Sequence, residues 1–434
     1  MRASLLLLLA LLTAANAAAA ELPQLLKLLR EQPEHSWRQL NLNAFREAWT
    51  PEALRARPIP SVDNPGRVIS AWGGFAWDDR RGDLWLWGGG HADYAGNEMY
   101  RWRGSTLRWE RASLPGRIEP VAPATYVAGD EQTPVSAHPY DTSEFLLGID
   151  RFVAFGGGAF NNGREFVRRE ADGSLRRTGP YLFDPARADA GKTGGITGSG
   201  VSAATRGGGM WSNRDLAARF PDFPVMFRSA TSGRTTEQGR DVVYVSTPPG
   251  LGTDQWLYRY TVSDPADPAS DRWEKVGRAG DAVGGQGAGA VDAANGLYVR
   301  TGNAAMPLYF WFLRTVGPLN QGRAVRAADL LGAAEAGLVM HDRFGLDYDP
   351  VRPRLLLWGG GAQVWSVTTE RGARRWKVAR EPVQTPQGAP GADVGRGVLG
   401  KWKYAAGLDV FIALEDNGNV WAYKPGGWRE PSGL

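Results

Sequence analysis

A short apolar run ending in three glycines occurs three times in the chain: LWLWGGG at 84–90, FVAFGGG at 152–158 and LLLWGGG at 355–361. Each run closes a longer pattern, namely FAWDDRRGDLWLWGGG (75–90), FLLGIDRFVAFGGG (145–158) and LDYDPVRPRLLLWGGG (346–361). Three further stretches keep the pattern and lose the glycine triplet: TTEQGRDVVYVSTP (235–248), GAVDAANGLYVRTG (289–302) and WKYAAGLDVFIALED (402–416). Every copy is a short strand, a polar turn and a strongly apolar strand. The turns use Asp, Gly, Asn, Arg and Pro, which suit tight hairpins. The second strand is apolar on both faces, as in a fully buried strand. A unit that cannot bury its own face must stack on its neighbours, so this repeat constrains the fold before anything else does.

A second signal follows most hairpins: an aromatic strand, a turn, then a tryptophan. It reads NEMYRWRGSTLRWERA, DQWLYRYTVSDPADPASDRWEKV and AQVWSVTTERGARRWKV. The unit is therefore four strands, a-b-c-d. The 57 glycines, 28 prolines and 18 tryptophans fit an all-β chain of tight turns and aromatic packing. At LWLWGGG…NEMYRWR…RWE and LLLWGGG…QVWSV…RWK the chain resembles the kelch repeat, the blade of galactose-oxidase-like β-propellers. The resemblance covers residues 64–428 and is weaker in the third and fourth units, where STPP and RTGN replace the glycines. It implies six blades in one domain, 61–428, with a glycine-rich insertion at 186–234 that leaves room for a seventh blade or a lid. The last unit, ending in NVWAYKPGGW, has almost no room for strand d, whereas HSWRQLNLN (35–43) reads as a lone tryptophan strand. Trp37 to Leu42 is expected to complete the final blade and close the ring, which removes an exposed sheet edge. LPQLLKLLRE (22–31) reads as an amphipathic helix with Pro23 in its first turn, so 21–60 holds a helix and the closing strand.

The first twenty residues, MRASLLLLLALLTAANAAAA, carry Arg2, a short apolar core and small-residue cleavage positions at Ala17 or Ala20. This reads as a secretory signal peptide, too short to span a bilayer, and implies a periplasmic or secreted monomer without a membrane anchor. The chain has no cysteine, which excludes disulfides, thiol nucleophiles and cysteine-ligated zinc. A formal charge of +4, without a run of five or six like charges, gives no nucleic-acid footprint and tolerates an anionic ligand.

In an antiparallel a-b-c-d blade the b–c loops and the d–a connections share one face. His91 follows strand b of the first unit, and His138 and His341 precede strand a of the second and fifth. Three of the four histidines thus fall on one rim, and histidine is the usual proton carrier near neutral pH. With their neighbours they give the candidate ligand-binding set His91, Asp93, Tyr94, Asn97, His138, Tyr140, His341 and Arg343. His35, by the closing strand, reads as structural or exposed. No metal or cofactor is expected.

Copper-radical oxidation of the galactose oxidase kind needs a cysteine cross-linked to tyrosine and is excluded. The sialidase S-x-D-x-G-x-T-W box and the H-E-x-x-H zinc spacing are absent, and ARADAGKTGG (186–195) lacks the first glycine of a phosphate loop. The chain is similar in fold to propeller polysaccharide lyases such as ulvan lyases. That similarity implies a second function, proton abstraction beside a uronic carboxylate. His138 or Tyr140 would be the base, His91 the acid, and Arg343 or Asn97 the carboxylate partner. The leading expectation is recognition of an anionic carbohydrate at the rim, and a protein-interaction scaffold is the third.

Overall fold

The computed structural model describes residues 22–129, 132–188, 210–247, 256–278, 286–302, 308–314, 322–369, 375–393 and 395–431. They form a six-blade β-propeller. The a–b hairpins are Phe75–Asp78 with Asp83–Leu86, Ser143–Leu146 with Arg151–Ala154 and Thr231–Glu237 with Arg240–Ser246. The other three are Gly289–Asp292 with Leu297–Arg300, Gly345–Asp349 with Arg354–Trp358 and Trp402–Ala405 with Val410–Leu414. All six coincide with the stretches read as hairpins. Strands c and d of the first five blades are Tyr100–Arg103 and Arg108–Arg111, Tyr181–Phe183 and Trp211–Asn213, Trp256–Thr261 and Arg272–Arg278, Tyr309–Phe312 and Val325–Arg326, and Val364–Thr368 and Lys377–Arg380. Neighbouring a strands touch around a closed ring.

Blade 6 takes its c strand from Val420–Lys424 and its d strand from Ser36–Gln39 at the other end of the chain. Trp37 pairs with Tyr423 and Gln39 with Trp421. The closing strand is shorter than expected. Leu42 has left the sheet and is 53 % exposed. Trp37 is fully buried among Trp358, Trp402 and Tyr423, with ring centroids 5.2–5.8 Å apart, and its Nε1–H donates to the Ala362 carbonyl at 2.8 Å.

The described part of 186–234 holds no seventh sheet. It supplies strand d of blade 2 and the first residues of strand a of blade 3. Phe223 anchors it, buried against Phe227 and Trp273. Residues 189–209, on which the lid and most of the glycine-rich run were expected, lie outside the described residues, as does the signal-peptide stretch 1–20.

The helix runs Pro23–Glu31 and buries Leu25, Leu26 and Leu29. Leu22 packs over Gly82 and Gly104, in the a–b and c–d turns of blade 1, where a Cβ would fall 2.9 Å and 3.1 Å from its methyls. The helix therefore lies on the turn face, opposite the histidine rim. Lys424 of the last c strand reaches it, donating from Nζ to the Leu29 and Gln32 carbonyls at 2.7 and 2.8 Å. These carbonyls at the helix C-terminus have no partner within the helix, and a cation suits that end of its dipole.

Candidate functional site

Two glycines of the repeated triplets bring the rim together. His138 lies in a two-residue ladder, Ala137–His138 against Gly158–Ala159, that links the approach to blade 2 with that blade's own b–c loop. Gly90 (φ 30°) and Gly157 (φ 140°) lie on either side of it. A Cβ on Gly90 would fall 2.3 Å from His138 N, and one on Gly157 only 1.7 Å from the His138 carbonyl oxygen. The triplet is a turn of the repeat, and here its close approach serves the neighbouring strand.

His138 is 1 % exposed, and its Nε2 lies 3.0 Å from Asp93 Oδ2. Its Nδ1 faces Gly158, where a Cβ would stand 3.2 Å away. Burial lowers the basicity of the ring, and the Asp93 carboxylate opposes that without reversing it. Neutral His138 bonded to an ionised Asp93 carries its proton on Nε2. Burial pushes the Asp93 carboxyl up, but the bond to His138 and the charge of Arg396 outweigh it, so the group lies below the ordinary carboxylate range. Asp93 Oδ1 also meets Arg396 Nη1 at 3.4 Å and Arg67 Nε at 3.7 Å.

Three aromatic rings pack around His138. Trp72 lies 4.9 Å from it centroid to centroid, His91 5.8 Å away edge to face, and Tyr140 6.2 Å away edge to face. The Arg396 guanidinium covers the Trp72 ring at 4.5 Å, a cation–π contact that aims it at Asp93. Trp72, His91 and Tyr140 all have left-handed backbone, with φ of 50°, 46° and 54°. Such conformations cost about 1–3 kcal/mol each and collect at functional sites. Burial raises the Tyr140 hydroxyl above its usual range, and the Arg228 charge opposes it.

Below the cluster, backbone bonds and a buried ion pair join the blades. Tyr140 N–H donates to the Trp72 carbonyl at 2.9 Å, and Gly400 N–H to the Tyr140 carbonyl at 3.2 Å. Asp141, the next residue, accepts from Lys403 Nζ at 2.9 Å and from Gly289 N–H at 2.7 Å. Burial pushes the Asp141 carboxyl up to about 7. At Lys403 burial disfavours the ammonium, but the carboxylates of Asp141, Glu144 and Asp347 outweigh it and hold the proton on.

Of the residues expected on the rim, His91, Asp93, His138 and Tyr140 come together. Tyr94 and Asn97 do not join them. The Tyr94 hydroxyl donates to Glu98 Oε1 at 2.7 Å, alongside Thr50 and Tyr100. Asn97 joins loop backbone, donating to the Pro134 carbonyl and accepting from Gly116 N–H. Both are buried, since this loop folds back on itself. His341 is exposed and stacks on Phe344 at 4.7 Å, apart from the cluster. Arg343 is exposed beside Gly397, and its carbonyl accepts the Val398 N–H. Trp72, Arg396, Arg67 and Arg228 escaped the sequence reading. Among the described residues no group of three or more His, Cys, Asp or Glu is arranged to hold a metal ion. Neither a scan of protein-family models nor a search of curated proteins finds a match for the chain.

Proposed function

We propose that the chain is an exported kelch-type propeller whose loop face binds an anionic carbohydrate at the cluster around Asp93. The supporting observation is the charge balance. Arg67 and Arg396 converge on Asp93, Arg228 faces Tyr140, and Arg164 is exposed next to Gly163, which abuts the His91 ring. Two guanidiniums from two different connections thus meet one carboxylate, and a third faces the neighbouring tyrosine. An acidic ligand enters a positive field, and the planar fork of arginine matches a carboxylate or sulfate. Trp72 has Arg396 on its ring and His138 beside it, so it orients the arginine rather than stacking on a sugar. The carbohydrate preference rests on the resemblance to propeller polysaccharide lyases. Calorimetric titration with oligogalacturonate tests the reading. Binding that weakens with salt and falls about tenfold in Arg396→Ala, or 1.4 kcal/mol, is the expected result. No binding of uronate or sulfated oligosaccharides, or an unchanged Arg396→Ala, refutes it.

A second reading, β-elimination of a uronate, is favoured by the rings of His91 and Tyr140 flanking His138. His138 would then orient rather than abstract, because Asp93 holds Nε2 and Gly158 covers Nδ1. Tyr140 would take the proton and His91 would supply one to the leaving oxygen. Ultraviolet absorbance of an unsaturated product, lost in Tyr140→Phe, is its signature. A bound uronate left uncleaved would rule it out.

A further inference from the structure

Beside the arginine cluster, on the same face, a cavity of about 230 Å³ lies between blades 5 and 6. It is framed by the b–c loops of both blades and by the connection that carries Arg396. Its character is the reverse of its neighbour's. Trp358 and Leu414 give it apolar walls, and Asp393, Glu415 and Asp416 line it with three carboxylates. The one cation in the lining, Lys401, is buried and paired with Asp416. Asp393 and Arg396 stand three residues apart, so one connection turns an anion toward this cavity and a cation toward Asp93.

The spacing between the two compartments is held firmly. Gly361 N–H donates to the Gly391 carbonyl at 2.7 Å, Gly397 N–H to Asp393 Oδ1 at 2.9 Å and Val398 N–H to the Arg343 carbonyl at 2.8 Å. A ligand spanning both compartments needs an anionic group and a cationic group on adjoining units, with an apolar ring face between polar edges. We infer that the ligand of the loop face is a zwitterionic glycan, in which a uronate meets the arginines and an amino sugar with a free amine enters the acidic cavity. This rests on the anionic-carbohydrate reading and narrows it.

The test is calorimetry with three probes: oligogalacturonate, an alternating glucosamine–glucuronate tetrasaccharide with free amines, and its N-acetylated counterpart. Acetylation removes the charge and leaves the ring in place. The free-amine form is expected to bind about tenfold more tightly than the acetylated one at low salt. Asp393→Asn, whose amide oxygen still accepts the Gly397 N–H, should erase that difference while thermal melting shows an intact fold. Equal affinity for the two tetrasaccharides, or a difference that survives Asp393→Asn, overturns the inference while oligogalacturonate binding leaves the broader reading standing. If none of the three probes binds, the broader reading falls and takes this one with it.

Discussion

Replacing Trp37 with alanine should loosen the whole ring, because that side chain joins the first described strand to the last blade. Trp37 is fully buried, touches three aromatic rings and donates one hydrogen bond. Truncating a buried tryptophan costs about 3–5 kcal/mol, a range that already includes much of the lost ring contact. The Ala362 carbonyl also loses its donor, which places the change near the upper end, at about 4–5 kcal/mol. Unfolding entropy near 2.1 cal/mol/K per residue, over roughly 400 residues, makes each kcal/mol worth about 1.2 °C, so Tm should fall by about 5–6 °C. Thermal unfolding followed by circular dichroism reads this directly. Leu42→Ala serves as the control, since Leu42 is 53 % exposed and its loss should stay within about 0.5 kcal/mol. Hydrogen exchange adds a local readout: in Trp37→Ala, the amides of Ser36–Gln39 and Val420–Lys424 should lose protection together. A Tm drop below about 1 °C, or independent exchange in the two strands, would refute the closing role.

Other consequences are equally direct. Gly157→Ala puts a methyl 1.7 Å from the His138 carbonyl at a φ of 140°, so thermal melting should show a loss of about 2 kcal/mol or more, together with lost oligogalacturonate binding. His138 is less basic folded than unfolded, so the unfolded chain binds the extra proton first. Its stabilisation is complete above the ordinary histidine range and is lost as pH falls through about 6.5. Tm measured from pH 7.5 to 5 should accordingly fall less steeply in His138→Gln than in the parent chain, and parallel slopes would contradict this. Lys403→Met leaves Asp141 without its ammonium partner, and urea unfolding should register about 3–5 kcal/mol.

How much of this was legible in the chain differs from fold to site. Hairpins are local, so Asp, Gly and Pro in the turns and apolar runs such as Leu84–Trp87 locate strands a and b of every blade without knowledge of their neighbours. Strand d of blade 2 escaped notice because Trp211 follows a long insertion, and a lone strand at that distance has no local signature. His91 and His138 were visible as rare residues on one rim. Trp72 was visible in principle: it stands three residues before strand a of blade 1, as Tyr140 stands before blade 2 and Leu399 before blade 6, and all three have positive φ. Aligning those entry positions would have paired Trp72 with Tyr140. Arg396 had no such cue, because its contacts with Asp93 and Trp72 cross more than 300 positions of chain. Tyr94 and Asn97 misled because HADYAGNE is polar enough to read as a solvated loop, whereas Glu98 draws Tyr94, Tyr100 and Thr50 inward.

The bond between the two ends of the chain also sets an order of events. Ser36 and Lys424 are opposite one another in the sheet and 388 positions apart in the chain. Among the described strands of the propeller, the one made first is therefore the last to find its partner. Until it arrives, Val420–Lys424 presents an open sheet edge and the ring is a horseshoe, a state that invites pairing with another chain. This pairing joins residues 388 positions apart, so it should be the slow step of refolding. A second chain offering the segment 36–39 would compete for the same edge, which makes a synthetic copy of that segment a means of trapping the horseshoe before it shuts.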